Sequence, residues 1–251
     1  MPKDRFSKQS KKYLKFRPKY PKNLYDIIYN VLENNHNPFE TAWDCGTGNG
    51  QAALELAKRF KIVYATDLSK KQIEYATKKE NIFYRIEPAE KTSLIDHSID
   101  LTVVAQALHW FNFNEFFKEV QRVSKKSGML AVWCYSTCKF EDQNTNSIFS
   151  SFYRETLGPY WDKERMLVES GYKEIHFPFT KILDTILNYE ISFTRERFQG
   201  YISTWSSVQN FIRKNQKDPT LIFTNQIREI WSREEKKKVT FPIYLKIFQI
   251  D

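Results

Sequence analysis

Glycine, cysteine and long apolar runs are scarce in this chain. Only 7 of its 251 residues are glycine, and its 3 cysteines, Cys45, Cys134 and Cys138, are spaced irregularly. Cysteines in that number and spacing form neither a disulfide framework nor a zinc site, so we expect reduced thiols, a cytoplasmic protein and no bound metal. No segment approaches the roughly 20 apolar residues of a membrane span. The lysine-rich N-terminus lacks the apolar run of a signal peptide, and we expect no membrane partner.

Apolar and aromatic residues, by contrast, are abundant. Hydrophobic residues make up 41% of the sequence and aromatic residues 16%. This composition excludes intrinsic disorder, because disordered chains contain few large apolar side chains. A length of 251 residues suits one domain that carries an insertion. We therefore interpret residues 1–251 as a single domain.

The formal net charge of +9 comes from the N-terminal segment. Residues 1–22 contain nine basic residues against Asp4 alone, whereas the other residues carry 30 basic and 29 acidic groups. A basic arm of this kind attracts anions, and RNA is one such partner. Charge runs also occur on the solvated surfaces of lysine-rich proteins. The sequence leaves both interpretations of the arm open.

Predicted strands and helices alternate along the first 135 residues. Apolar segments predict strands at 41–45, 61–67, 81–87, 100–105 and 128–134. Helical spacing of apolar residues predicts helices that follow the first, second and fourth of these strands. This alternation is typical of a doubly wound α/β fold with a mainly parallel sheet.

The pattern is less regular after residue 140. We predict a helical insertion or cap over 140–211, which includes a helix at 198–211. Strand-like segments at 186–193 and 239–250 bring the predicted sheet to seven strands. Pro242 cannot donate a backbone hydrogen bond, which favours an edge position for the last of them.

Three of the seven glycines lie in one loop, at Gly46, Gly48 and Gly50. The loop follows the first predicted strand and precedes a helix, a place where exposed backbone meets ligands in doubly wound folds. The spacing G-x-G-x-G differs from the G-x-G-x-x-G of dinucleotide sites, and Asp44 precedes the loop. A carboxylate there repels a pyrophosphate and suits a ligand that carries an ammonium group.

A second acid, Asp67, ends the second predicted strand. An acid about 20 residues beyond a glycine loop accepts hydrogen bonds from ribose hydroxyls in adenosine-binding folds. The alternative for Asp67 is a helix-capping role ahead of Ser69. Together, Asp44 and Asp67 favour an adenosine ligand with an amino-acid tail, and S-adenosylmethionine (SAM) has both parts.

The segment from Trp43 to Trp133 resembles the type 11 family of SAM-dependent methyltransferases, which share the class I, Rossmann-like fold. The matching motifs are the glycine loop, Asp67-Leu68-Ser69, Ala89-Glu90, Asp100–Val104, Gln106–Trp110 and Glu119–Val123. Residues 6–21 and 201–209 resemble the trans-aconitate-methyltransferase-like branch. The sequence departs from the family at Ser127-Gly128, where paired glycines are usual.

The resemblance implies a SAM-binding core over residues 41–135. The implied cofactor contacts are Asp44, Gly46, Thr47, Gly48 and Gly50 for the methionine part, Asp67 for the ribose, Leu68, Ala89 and Glu90 for the adenine, and Gln106 and Ala107 beside the sulfonium. Arg17 is our candidate for the methionine carboxylate, because a guanidinium binds a carboxylate through two parallel hydrogen bonds. A surface arginine in the basic arm is the alternative.

The resemblance also implies methyl transfer to a small-molecule acceptor, and the branch suggests a carboxylic acid. A carboxylate needs no base, whereas a hydroxyl or an amine needs one, and His109 is the candidate base. Trp110, Tyr135 and Trp205 are candidate walls of an acceptor pocket beneath the cap at 140–211. Packed side chains without a catalytic role are the alternative for all four residues.

Two other functions remain open at this point. The basic arm could bind RNA as the methyl acceptor, or the domain could bind SAM without catalysis. Base-directed amino methyltransferases usually place Asn/Asp-Pro-Pro-aromatic after the fourth strand, and this chain has Gln106-Ala107-Leu108-His109 there. That difference disfavours nucleic acid as a partner. The sequence carries no signal for an oligomeric state.

Overall fold

A computed structural model describes residues 15–251 of the chain. The predicted basic arm thus lies outside the described residues over 1–14. No helix within residues 15–251 is long and apolar enough to cross a membrane. The helices are α1 Lys22–Asn34, α2 Gln51–Leu56, α3 Lys70–Glu74, α4 Phe113–Val123, α5 Gln143–Ser151, α6 Arg165–Glu169, α7 Arg195–Ser203, α8 Ser206–Asn215 and α9 Thr220–Ile227.

The strands form one sheet. They are β1 Thr41–Cys45, β2 Ile62–Asp67, β3 Ile82–Ile86, β4 Ile99–Ala105, β5 Ser124–Tyr135, β6 Lys139–Phe140, β7 Thr180–Thr194 and β8 Lys236–Gln249. The first five run parallel in the order β3-β2-β1-β4-β5. β8 pairs antiparallel with β5 and β6 on one side and with β7 on the other. The predicted mainly parallel α/β sheet is confirmed, with eight strands rather than seven because β6 adds a two-residue pairing.

Both faces of the sheet are covered, as a doubly wound fold requires. Neighbouring residues of β1 show this, because Ala42 belongs to one buried cluster and Trp43 to the other. Along β5, Ala131 faces the first cluster and Val132 the second. Alternate side chains of a strand point to opposite faces, so the central strands carry buried apolar side chains on both faces.

The helices after β5 lie on both sides of β7 in sequence. α5 and α6 precede it, and α7, α8 and α9 follow it, so the helical region extends to Ile227, beyond the predicted limit of residue 211. The helix predicted over 198–211 is two helices, interrupted at Thr204 and Trp205. Aromatic rings of this region pack together, since the centre of the Phe149 ring lies 6.0 Å from the ring centres of both Trp205 and Phe223.

The prediction that Pro242 places β8 at an edge is wrong. β8 lies between β5 and β7, and Pro242 pairs with Asn188 of β7. On the other side, the Pro242 carbonyl accepts a hydrogen bond from the Ser136 backbone N–H at 3.2 Å. In an antiparallel strand, the nitrogen and the carbonyl of one residue face the same neighbour. The ring nitrogen of Pro242 therefore faces the gap between β5 and β6, where no donor is needed.

Candidate functional site

The glycine loop lies between β1 and α2, and its backbone is left-handed at Gly46 and Gly48, with φ of 68° and 56°. A Cβ added at Gly46 would lie 2.7 Å from the Ala107 Cβ, so packing excludes any larger residue there. A Cβ added at Gly48 would meet no atom of residues 15–251 within 4 Å. Gly48 therefore presents open backbone that a ligand can approach.

Asp44 is fully buried at the end of β1. Its Oδ2 accepts hydrogen bonds from Thr47 Oγ1 at 2.5 Å and from the Ala53 backbone N–H at 2.8 Å. Its Oδ1 is buried with no hydrogen-bond partner among the described residues. Burial is the main cause that raises the pKa of Asp44 to about 7. The hydrogen bonds from Thr47 and Ala53 oppose this shift, and nearby Asp67 adds to it. Among residues 15–251, the Asp44 carboxyl group therefore has an unsatisfied buried oxygen, and pairing with a cation would favour its charged form.

Asp67 joins the glycine loop to the end of β2. Its Oδ2 accepts a hydrogen bond from the Gly48 backbone N–H at 2.8 Å, and its Oδ1 accepts one from the Ser69 N–H at 2.8 Å. The first turn of α3 is capped by Ser69, whose Oγ accepts from the Gln72 N–H at 3.3 Å. Asp67 is therefore not the residue that caps α3, and its carboxylate lies beside the open backbone of Gly48.

Three further predicted cofactor residues follow β2 and β3. Leu68 is 40% exposed, an apolar surface next to Asp67, whereas Ala89 is buried. Glu90 Oε1 accepts a hydrogen bond from the Asn112 backbone N–H at 2.9 Å, which ties this segment to the start of α4. Leu68 is thus the one of these three that offers apolar surface for stacking.

Gln106 holds the ends of β4 and β5 together. Its side-chain amide accepts a hydrogen bond from the Tyr135 N–H at 2.7 Å and donates one to the Tyr135 carbonyl at 3.2 Å. Its backbone is left-handed, with φ of 56°, a conformation that non-glycine residues adopt at a cost. The next residue, Ala107, contacts the glycine loop at Gly46. The chain from Gln106 to Trp110 therefore connects the glycine loop to the neighbouring pocket.

That pocket is walled by aromatic rings and contains two arginines. Gln106 and His109 line it. The other lining residues that matter here are Arg17, Trp110, Trp161, Arg165, Tyr201 and Trp205. Of the residues predicted to wall an acceptor pocket, Trp110 and Trp205 lie at its surface. Tyr135 lies behind it, almost fully buried, and touches the pocket through Arg17.

Arg17 is half-buried in the pocket rather than exposed on a solvated arm. Its Nη1 donates to Tyr135 Oη at 2.7 Å, and its Nε donates to Thr204 Oγ1 at 2.9 Å. The guanidinium carbon lies 5.5 Å from the centre of the Tyr201 ring. These contacts fix the plane of the guanidinium at the end of β5 and the α7–α8 junction.

Arg165 at the start of α6 is a pocket residue that the sequence did not identify. Its Nε donates to Tyr153 Oη at 2.9 Å, and its Nη2 donates to Thr137 Oγ1 at 3.0 Å. Its guanidinium carbon lies 4.8 Å from the centre of the Trp161 ring. Arg165 and Trp161 belong to a segment whose sequence shows only helical character, so their place in the pocket depends on tertiary packing.

His109 is buried at the pocket wall, with 8% of its surface exposed. Its ring centre lies 4.7 Å from that of Trp110. Its Nδ1 lies 3.0 Å from the hydroxyl oxygen of Tyr172. The histidine is thus held in a fixed orientation by a residue that had no predicted role.

Known proteins are similar to this chain in sequence and in structure along most of its length. A family model described as a methyltransferase domain matches residues 43–132. A methyltransferase-family protein of Dictyostelium discoideum is 34% identical over 248 residues, which cover 96% of this chain and 93% of that protein. A Saccharomyces cerevisiae protein named for SAM-dependent methyltransferase activity is 24% identical and covers 90% of this chain. A solved structure from Anaeromyxobacter dehalogenans, described as a type II methyltransferase, is 33% identical, covers 94% of this chain and 98% of that chain, and has a TM-score of 0.83.

Proposed function

Because this chain belongs to the class I SAM-dependent methyltransferases, we propose that it transfers the methyl group of SAM to the carboxylate of a small organic acid. The observation that carries this choice of acceptor is the Arg165 guanidinium, which lines the aromatic-walled pocket together with Arg17. A guanidinium binds a carboxylate through paired hydrogen bonds. Aromatic walls keep water away from that contact and so strengthen it.

The buried acid and the open glycine backbone fit the methionine part of SAM. Asp44 Oδ1 has no partner among the described residues and would accept hydrogen bonds from the ammonium group. The open face at Gly48 allows the ligand to approach the backbone, and Asp67 beside it would bind the ribose hydroxyls. Exposed Leu68 would pack on the adenine, with Ala89 and Glu90 at its amino edge.

We propose that the Gln106 side chain supports the pocket and does not itself contact the cofactor, which is less than the family motif implies. Its side-chain amide is committed to the Tyr135 backbone, so the side chain supports the pocket floor. The backbone of Gln106 and the methyl group of Ala107 would border the reacting end of the cofactor. Arg17 remains our candidate for the methionine carboxylate, and Arg165 is our candidate for the acceptor carboxylate.

The residues of the pocket need mainly to align the acceptor and exclude water. SAM supplies a methyl group that is already activated by the sulfonium, and a carboxylate attacks it without help from a base. Holding two reactants in line contributes several kcal/mol to lowering such a barrier. The three tryptophans of the wall shield the site from solvent, and Arg165 orients the acceptor. His109 therefore has no proton to remove from an acid acceptor.

We place the enzyme in the cytoplasm, on the basis of its cysteines. All three are buried free thiols. Burial raises the pKa of Cys134 to about 12 and the pKa of Cys45 well above its usual value. Protonated, buried thiols are inert, in keeping with a reducing compartment.

Kinetics of variants at Arg165 and Arg17 test the proposal, because each arginine is proposed to bind a different carboxylate. With SAM and trans-aconitate as the first of a panel of organic acids, we expect Arg165→Gln to raise the KM for the acid about tenfold or more, the scale of one charge-assisted hydrogen bond. The dissociation constant of SAM should stay unchanged. Arg17→Gln should weaken SAM binding instead. Arg165→Lys is the matched control, because it keeps the charge and loses the paired geometry.

Controls in the same assay distinguish the alternatives. Asp67→Ala should abolish saturable SAM binding in calorimetry and therefore all turnover. A wild-type protein that binds SAM but methylates no carboxylate would contradict the proposed acceptor, and methylation of RNA would favour the basic arm as the binding element. A wild-type protein without measurable SAM binding would contradict the enzyme function itself.

A further inference from the structure

Tyr172 is the buried partner of His109. Its side chain is 1% exposed, and its hydroxyl oxygen lies 3.0 Å from His109 Nδ1. Both Tyr172 and the preceding Gly171 have left-handed backbone, with φ of 61° and 65°. An aromatic residue adopts that conformation only when the surrounding structure imposes it. The position of this phenol is therefore enforced by the packing around β5 and α6.

The groups around the Tyr172 hydroxyl determine which atom accepts the hydrogen of the phenol. Burial raises the pKa of Tyr172 well above its usual value, so the phenol keeps its single hydrogen. The neighbouring polar groups are the side chains of His109 and Cys134 and the backbone N–H of His109, whose hydrogen bond to the phenol oxygen acts to lower its pKa. The Cys134 thiol is directed at the Val168 carbonyl, 3.8 Å away, and its sulfur is a weak acceptor. His109 Nδ1 is the stronger acceptor, and it receives the phenol hydrogen.

We propose that Tyr172 positions His109 as a neutral imidazole with its hydrogen on Nε2, so that His109 offers the acceptor pocket a hydrogen-bond donor rather than a base. His109 lines that pocket, whereas Tyr172 lies behind it. A donor suits an acceptor carboxylate, whose oxygens are charged and accept hydrogen bonds only. The hydrogen bond from Tyr172 determines the tautomer of His109 whatever the acceptor is. The role of His109 in binding the acceptor rests on the proposed function. Tyr172 is thus a positioning residue, and Nε2–H helps to orient the acid beside Arg165.

Nitrogen-15 NMR of the full chain, labelled at its 4 histidines, measures the tautomer directly. His109→Gln identifies the His109 signals by their loss. We expect the wild-type ring to carry its hydrogen on Nε2 and the Tyr172→Phe ring to become a mixture of both neutral tautomers. Tyr29→Phe is the matched control, because it removes a buried phenol that donates to the Glu55 carbonyl at 3.1 Å. It should leave the His109 signals unchanged.

Two spectroscopic outcomes overturn the proposal. One is a wild-type His109 with its hydrogen on Nδ1, and the other is an identical His109 tautomer in wild type and Tyr172→Phe. If Tyr172→Phe does not fold, the wild-type spectrum still decides between the two directions of the hydrogen bond. These measurements need no acceptor, so their failure is distinct from a failure of the proposed function.

Kinetics with SAM and trans-aconitate separate the donor from the base. A glutamine amide cannot remove a proton, so loss of the His109 donor in His109→Gln should act mainly by raising the KM for the acid, whereas loss of a base would act mainly on kcat. Tyr172→Phe should raise the KM for the acid about fivefold, as loss of a neutral hydrogen bond does, with SAM binding unchanged. A His109→Gln enzyme that loses kcat at an unchanged KM would restore the base role and contradict the proposal. Failure of the wild type to methylate any carboxylate would contradict the proposed function alone.

Discussion

Asp44 shows how burial and ligand binding act in opposite directions on one carboxylate. Burial raises its pKa to about 7 from an ordinary 3.8, so the ionised form costs stability in the folded protein that lacks a bound cation. An ammonium group at Oδ1 would supply the missing partner and favour the charged form. Under the proposed function, the free energy spent on burying the Asp44 carboxylate would be recovered in part when SAM binds.

The substitution Asp44→Asn tests this balance. Because the folded-state pKa is raised, the ionised carboxylate destabilises the fold above about pH 7, and the penalty disappears as the pH falls towards 4. We expect Asp44→Asn to be more stable than wild type at pH 8, by at most about 4 kcal/mol, with a difference that shrinks as the pH falls. Thermal unfolding with and without SAM measures both effects, since the variant should also lose its stabilisation by SAM. A variant that is less stable at pH 8 and still stabilised by SAM would contradict this account.

At the scale of elements, the loop between β3 and β4 is tied to α4 by one buried acid. Glu119 Oε1 accepts hydrogen bonds from the backbone N–H of Thr92 at 2.6 Å and from its hydroxyl at 2.7 Å. Arg122 donates to the same carboxylate at 2.7 Å and to the Leu94 carbonyl at 2.9 Å. Burial alone would raise the pKa of Glu119, but the bonds from Arg122 and Thr92 outweigh it and lower the pKa. The Glu119–Val123 motif therefore has a structural function on α4.

Removing the charge at Glu119 should loosen that loop. We expect Glu119→Gln to lower the free energy of unfolding by about 1–3 kcal/mol at pH 7, the cost of disrupting hydrogen bonds to a buried charged group. Since the folded pKa is lowered, this contribution is present above about pH 4.5 and is lost as the pH falls further. Urea unfolding at pH 7 and pH 4 measures it. The exposed Glu115 on the same helix, paired with Lys118 at 2.9 Å, provides the control, and Glu115→Gln should change stability by under about 0.5 kcal/mol.

The helices and strands differ in how well local sequence predicts them. The strands of the parallel half lie within one residue of their predicted limits at every end except the start of β5, and α4 follows β4 as predicted, because apolar runs and helical spacing are local signals. α1 was missed although Leu24, Ile28 and Leu32 are spaced as one buried face of a helix. The prediction for Pro242 was wrong because the whole sheet determines which strands are neighbours and where the gap between β5 and β6 lies.

For the whole molecule, the excess positive charge lies at one end of the sequence. Nearly all of the net charge of +9 belongs to residues 1–22, and the rest of the chain is close to neutral. The pocket itself is mixed, with Arg17 and Arg165 beside Asp162 and four large aromatic residues. This composition suits a small anionic acceptor better than a long phosphate backbone.

Salt dependence distinguishes these two kinds of acceptor. Turnover of a small carboxylate should change at most severalfold between about 50 and about 200 mM salt, because it neutralises one or two charges. An RNA substrate held by many phosphate contacts would lose on the order of a thousandfold in affinity over that range. Steady-state kinetics at several salt concentrations, with wild type and with a chain that lacks residues 1–14, give the comparison. A steep loss of activity with salt, or on removal of those residues, would favour the RNA alternative.

The proposed cofactor-binding part of the molecule could be predicted from the sequence because its residues lie close together in the chain. Strand, acid, glycine loop and helix follow one another within Trp43–Leu56, and backbone conformation there depends on neighbouring residues, so the fold and the methyltransferase family could be predicted. The proposed acceptor pocket is assembled from positions far apart in the chain, as the bond from Arg17 to Thr204 shows. Which arginines and rings meet, and that Tyr172 supports His109, was decided only when α6 and the α7–α8 junction packed against the ends of β4 and β5. Such contacts depend on the summed packing of distant elements, which no short stretch of sequence encodes.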